Sequence, residues 1–305
     1  MGELSAAQRT AAFNVMAAVL SKRGFEKVEQ IMDADESLKT TAGNGGGQQG
    51  KGGPKGDDKG GFKGGGPGEP GGGPGGGKGK GKGGGGGLMF GKDLYYISIL
   101  GTPSEKAQWM LQFGGHHLAL NITIDGQRGI LTPSLTGAQP SLYTLNGKTI
   151  RPMGQESDKA VTLLNSLDEA QRKQAVLGSR MADLVLGPGE DGKTIQPEGL
   201  KASGMNDKQK AMLLDVIAEW AGIIHESAAA ARMAELKAEL NNTWFAWSGP
   251  TNVTVGTNIS SYYRIQGPHV VIEYAPQSMG GDPSMHIHAM YRDPTNDYGR
   301  KPTAK

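Results

Sequence analysis

Over residues 5–38 apolar positions recur at helical spacing. Ala12, Phe13, Met16 and Leu20 form one stripe, and Phe25, Val28, Ile31, Met32 and Leu38 form another after the interruption at Gly24. With Ser5 as a natural N-cap, this predicts two amphipathic helices that pack on the rest of the chain as a hairpin. From Leu94 the period changes. Residues 94–100 read as a strand closed by Gly101-Thr102-Pro103, and a second strand covers 111–124. Residues 129–150 break into short extended pieces punctuated by Pro133, Gly137, Pro140 and Gly147. The middle is helical. Ser166-Leu167-Asp168-Glu169 has capping-box spacing ahead of 170–177, and Asn206-Asp207-Lys208-Gln209 has it ahead of the stripe Met212, Leu213, Val216, Ile217, Trp220, Ile223 and Ile224. A further helix covers 227–241, and strands return at 244–248, 261–266, 269–274 and 285–292. Strands, then helices, then strands predict an α+β fold: a mostly antiparallel sheet with helices packed on one side.

Composition divides the 305 residues further. Residues 43–87 hold 27 of the 51 glycines, seven lysines, three acidic residues and almost nothing apolar. Such a stretch cannot bury enough surface to offset its ordering entropy, so it is expected to be a disordered linker spanning about 35–40 Å. It separates an N-terminal helical segment, 1–42, from a main α+β domain, 88–305, long enough for one sizeable core. The run Lys78-Gly79-Lys80-Gly81-Lys82 has no interleaved aromatics for base stacking, and the net charge is only +2, so nucleic acid is not the expected partner. No apolar run approaches the ~20 residues of a membrane helix. Without cysteine, disulfides, thiolate metal sites and cysteine nucleophiles are excluded. Gly-x-Ser-x-Gly, phosphate-loop and dinucleotide fingerprints are absent as well.

The chemistry concentrates in four of the six histidines: Gly114-Gly115-His116-His117 and His286-Ile287-His288. Side chains alternate along a strand, so His286 and His288 share a face about 7 Å apart, with Met290 and Arg292 beyond them. They can chelate one ion if a third ligand arrives from elsewhere. His117 shares parity with the polar series Ala119, Asn121 and Thr123, and His116 with the apolar series Leu118, Leu120 and Ile122. That favours His117 as the ligand, although both reach the site if the strand bends at Gly114-Gly115. Glu273 is a lone acid in an apolar strand and needs a cation: a metal, Arg264 or Arg292. His117, Glu273, His286 and His288 together suit zinc, manganese, iron or copper. His116 and Arg264 are then candidates for handling substrate, with Asn121, Gln266 and Arg292 binding a small, anionic molecule. The plainer reading is that alternating polar residues face water and that Arg292-Asp293-Pro294 with Asn296-Asp297-Tyr298 is only an ion-paired turn. His225 and His269 read as structural.

Gly115-His116-His117-Leu118 with Asn121, then Thr132-Pro133 with Gly137 and Pro140, resembles the bacterial family catalogued as domain of unknown function 3500. So do Trp247, residues 262–268, Ile272-Glu273-Tyr274, His286-Ile287-His288, Arg292-Asp293-Pro294 and Asp297-Tyr298-Gly299. The resemblance covers most of 94–300, extends to the N-terminal helices, and implies that the histidines form one site. It also implies export, to a periplasmic or extracellular setting, while Met1–Ser5 shows neither the basic nor the apolar region of a signal peptide. Three functions follow as expectations: a metal-dependent hydrolase or oxidoreductase, a non-catalytic binding module for a small anionic ligand, and an interaction scaffold acting through the Gly/Lys-rich linker.

Overall fold

The computed structural model describes residues 1–44, 90–278 and 281–301. Beyond Asn44 the Gly/Lys-rich stretch, and with it the linker and scaffold expectations, lies outside those residues. The N-terminal stripes form α1 (Ala6–Val19) and α2 (Lys22–Asn44). Ser5 and Gln8 close a capping box on α1. The break between the two helices falls at Leu20–Ser21 rather than at Gly24. Gly24 lies inside α2 because a Cβ there would sit 2.1 Å from the carbonyl oxygen of Ile223, so the glycine permits close packing instead of ending a helix.

The chain then forms β1 (Tyr96–Leu100), β2 (Trp109–Gly115), β3 (Leu118–Asp125), β4 (Arg128–Ile130), β5 (Ser134–Ala138) and the hairpin β6 (Tyr143–Leu145)–β7 (Lys148–Ile150). Helices α3 (Gly154–Ser166) and α4 (Glu169–Ala175) follow, then β8 (Leu200–Lys201), α5 (Asp207–Ala221) and α6 (Glu226–Ala238). The last strands are β9 (Trp244–Ser248), β10 (Tyr262–Gly267), β11 (Val270–Pro276) and β12 (Ile287–Arg292). Asn206 and Gln209 cap α5 as expected. On α4 the box shifts, because Ser166 ends α3 and Asp168 takes the Gln171 N–H at 2.8 Å. The expected strand 111–124 is two strands, β2 and β3, turning at His116-His117.

Among the described residues, one antiparallel sheet runs in the order β1-β2-β3-β5-β12-β11-β10-β9-β8, with β4 beside β3. Its register places both apolar cores on one face. Leu118 lies opposite Thr136, and Thr136 opposite Ala289, so the inward residues of β3 and β12 point the same way. Over β2 and β3, Leu111, Phe113, Leu120 and Ile122 pack against Met16, Val28, Ile31 and Met32. Over β9–β12, Trp247, Tyr263, Ile265, Ile272 and Tyr291 pack with Val161, Leu164, Leu213, Ile217 and Trp220 of α3 and α5. The protein is therefore an α+β fold with its helices on one side of the sheet. The N-terminal helices are bound to the body by more than apolar contact: Lys27 and Glu156 form a buried ion pair, and Ser21 N donates to Ile223 O at 2.9 Å. No described helix is long and apolar enough to cross a membrane.

The opposite face of the sheet carries His288, Glu273, Arg264, Gln266 and Arg292, as the pairings Arg264–Glu273, Glu273–Met290 and Val271–Arg292 require. Residues 177–199, which contain neither helix nor strand, hydrogen-bond to this face.

A candidate metal centre at one end of the sheet

The tip of the β2–β3 hairpin, the start of β12, the end of β5 and helix α2 meet at one end of the sheet. Glycines make this approach possible. A Cβ on Gly115 would lie 2.6 Å from the Tyr95 ring, and a Cβ on Gly137 would meet Ile287 O at 2.5 Å, beside the rings of His117 and His288. His116 and His117 are the two turn residues, which gives His117 an aim that strand parity does not describe. It is fully buried, with Nε2 3.2 Å from Nε2 of His286; His286 Nε2 is in turn 3.0 Å from Nε2 of His288. The ligating atoms of these three histidines all lie within 4.8 Å of one another.

Behind His117 stands a buried carboxylate. His117 Nδ1–H donates to Asp35 Oδ1 at 2.7 Å, and the Tyr95 hydroxyl donates to Asp35 Oδ2 at 2.6 Å. Burial and Asp35 hold the Tyr95 phenol far above its usual pKa, so it remains a donor. With Nδ1 engaged by Asp35, Nε2 is the His117 nitrogen that faces the other imidazoles. Burial, then the neighbouring imidazoles, push His286 down to about 4; burial, then His117, do the same to His288. Both rings are thus neutral near pH 7. With a proton on Nε2 of His286 these contacts of 3.0–3.2 Å are N–H···N hydrogen bonds between neutral rings; with a cation bound all three lone pairs would turn to it, and a tetrahedral ion with nitrogens at its usual distance spaces them roughly 3.3 Å apart, close to what is found. Nδ1 of His286 is buried with no hydrogen-bond partner among the described residues.

The other candidates lie apart from this group. Glu273 lies outside the three-histidine group. Its carboxylate is occupied by Val185 N–H at 2.8 Å, Leu186 N–H at 2.7 Å and the Tyr262 hydroxyl at 2.5 Å, so the compensation it needs comes from hydrogen-bond donors instead of a cation. Arg264 pairs with Glu198 at 2.7 Å, and Gln266 donates to Ile195 O at 2.5 Å. Arg292 pairs with Asp297 at 2.9 Å, the ion-paired turn, and donates to Leu186 O. Asn121 bridges Gln112 and Pro133 O within the sheet. His116 is exposed at the hairpin tip, against Phe90 and His117. His225 and His269 are outside the group.

Asp35 and Tyr95 are missing from the sequence-derived set. Asp35 falls seven residues after Val28 and three after Met32, in phase with the buried stripe of α2, and an acid there was the available signal. A cavity of about 400 Å³, bordered by Ile130, Ile224, Ala228, Arg232 and Tyr291, lies on the helix side of the sheet and includes none of these histidines.

No curated protein and no solved structure matches the chain. The family described as Protein of unknown function (DUF3500) matches residues 1–300, nearly the whole sequence and including both N-terminal helices. The chain belongs to the DUF3500 family.

Proposed function

We propose that this protein is a metal-dependent enzyme of hydrolytic type, with His117, His286 and His288 as its ligands. The observation that carries the reading is the convergence of three imidazole nitrogens within 4.8 Å, one of them oriented by a buried carboxylate. A carboxylate or carbonyl on the far nitrogen is the usual support of a metal-bound histidine. Three protein nitrogens leave a position open on a tetrahedral ion, as in catalytic zinc sites. A divalent ion there lowers the pKa of a bound water and supplies a nucleophile near neutral pH. Zinc, manganese, iron and copper all accept imidazole, but the two-histidine, one-carboxylate set of iron oxygenases would need a carboxylate that Glu273 does not provide. That favours hydrolysis over oxidation. A pocket clamping an anionic ligand without turnover has less support, because Arg264 and Arg292 are already ion-paired.

Protein stripped with a chelator should bind one zinc, manganese, iron(II) or copper ion per chain in calorimetry. The visible spectrum of the cobalt(II) form should shift on adding azide, which takes an exchangeable position. Absence of binding by all four ions, or a cobalt spectrum indifferent to azide, overturns the reading. Turnover of chromogenic esters or phosphoesters, lost on chelation and restored by the ion, then identifies the bond cleaved.

A further inference from the structure

The polar residues on the open face of the sheet together hold the segment 177–199. Glu273 receives Val185 N–H and Leu186 N–H, Arg292 donates to Leu186 O at 3.0 Å, and Ser248 Oγ receives Met181 N–H at 2.9 Å. Asp183 lies between these anchors. Gln277 ties it to the histidines: its backbone N–H donates to His286 O at 2.8 Å, and its side-chain amide donates to Asp183 Oδ1. Leu184 N–H donates to the same Oδ1 at 2.6 Å. Oδ2 has no partner among the described residues, and the side chain is exposed to solvent. The charge of Asp183 acts on both His286 and His288, in the direction that favours a cation.

We infer that Asp183 is the general base of the three-histidine centre, its free Oδ2 receiving the proton of a water held on the centre's open side. The inference rests on the metal-dependent reading above. In the step, one O–H bond of the water breaks and an O–H bond to Oδ2 forms. The electron pair stays on the water oxygen, which becomes the nucleophile, and the proton passes from Asp183 to the leaving group. Glu273 and Arg292 are positioning residues, acting through the segment that carries Asp183.

The test compares cobalt(II)-loaded wild type with Asp183→Asn, which keeps the Oδ1 acceptor and removes the charge. A carboxylate beside a bound water disfavours its ionisation, so the variant's spectral pH titration should have its midpoint lower by about half a unit or more. Its cobalt affinity should stay within roughly tenfold of wild type, since all three ligands are kept. His116 and Asp35, the other titratable groups flanking the three histidines, are the same in both proteins, so the shift reports Asp183. An unchanged midpoint overturns the assignment, and so does loss of cobalt as severe as that of His286→Ala, which would make Asp183 a ligand. A wild type that takes up no cobalt overturns the metal reading itself, and the two failures are thereby distinguished.

Discussion

Asp35 receives the Nδ1 proton of His117 at 2.7 Å across 82 positions of sequence. This bond joins the second N-terminal helix to the tip of a β-hairpin, and it makes the N-terminal helices part of the site. Tyr95 closes the arrangement from the other carboxylate oxygen. The buried Lys27–Glu156 pair holds the same helix to α3.

Asp35→Asn should weaken zinc binding by about 10–100-fold, the usual cost of losing a carboxylate behind a metal-bound histidine. Competition against a chromophoric chelator measures it. Tyr95→Phe, which removes one hydrogen bond and leaves the charge, should cost less. Equal affinity of Asp35→Asn and wild type would mean that His117 is not a ligand.

Glu273→Gln should free the segment 177–199 without emptying the site. One of the two backbone donors, Val185 N–H or Leu186 N–H, would face an amide N–H₂ in place of a carboxylate oxygen. Hydrogen exchange at these two amides should accelerate by about tenfold or more, as expected for a net loss of 1–3 kcal/mol at a buried donor. Metal content should be unchanged. Loss of metal with exchange unaltered would return Glu273 to the ligand set.

Acid should destabilise the metal-free protein through His286 and His288. Their folded values of about 4 lie below the value of about 6.5 expected unfolded. Between those limits the unfolded chain binds more protons, so stability falls as pH drops from 7 toward 4, and this source adds nothing further below about 4. In denaturant melts His286→Gln/His288→Gln should lose less stability than wild type over that range. The difference is expected to be on the order of 1 kcal/mol, since His288 is only partly buried and solvent screens it. Parallel curves would contradict it.

Much of this was legible in the chain. Alternation alone put His286 and His288 on one face, and the helical stripes gave α1, α2 and α5. The hairpin was hidden because His116-His117 is not a turn dipeptide with positive φ, so the apolar run 111–124 read as continuous. Strand β5 was hidden for a different reason. Ser134-Leu135-Thr136-Gly137-Ala138 has weak strand character, and its central place comes from its neighbours: β3 and β12 pair on either side, and Gly137 lets the Ile287 carbonyl of β12 approach closely. The expense of burying Glu273 was readable, but its partners were backbone amides of a segment with no periodic signal. Asp183 lies in that same segment and shows no pattern of its own.

The most direct test of the central claim is elemental analysis of protein purified without chelator or affinity-tag histidines, wild type beside His286→Ala/His288→Ala. Near-stoichiometric metal in the wild type, gone in the double variant while the fold is retained by circular dichroism, is the predicted result. Metal absent from the wild type even after incubation with divalent ions, or present equally in both proteins, would contradict it.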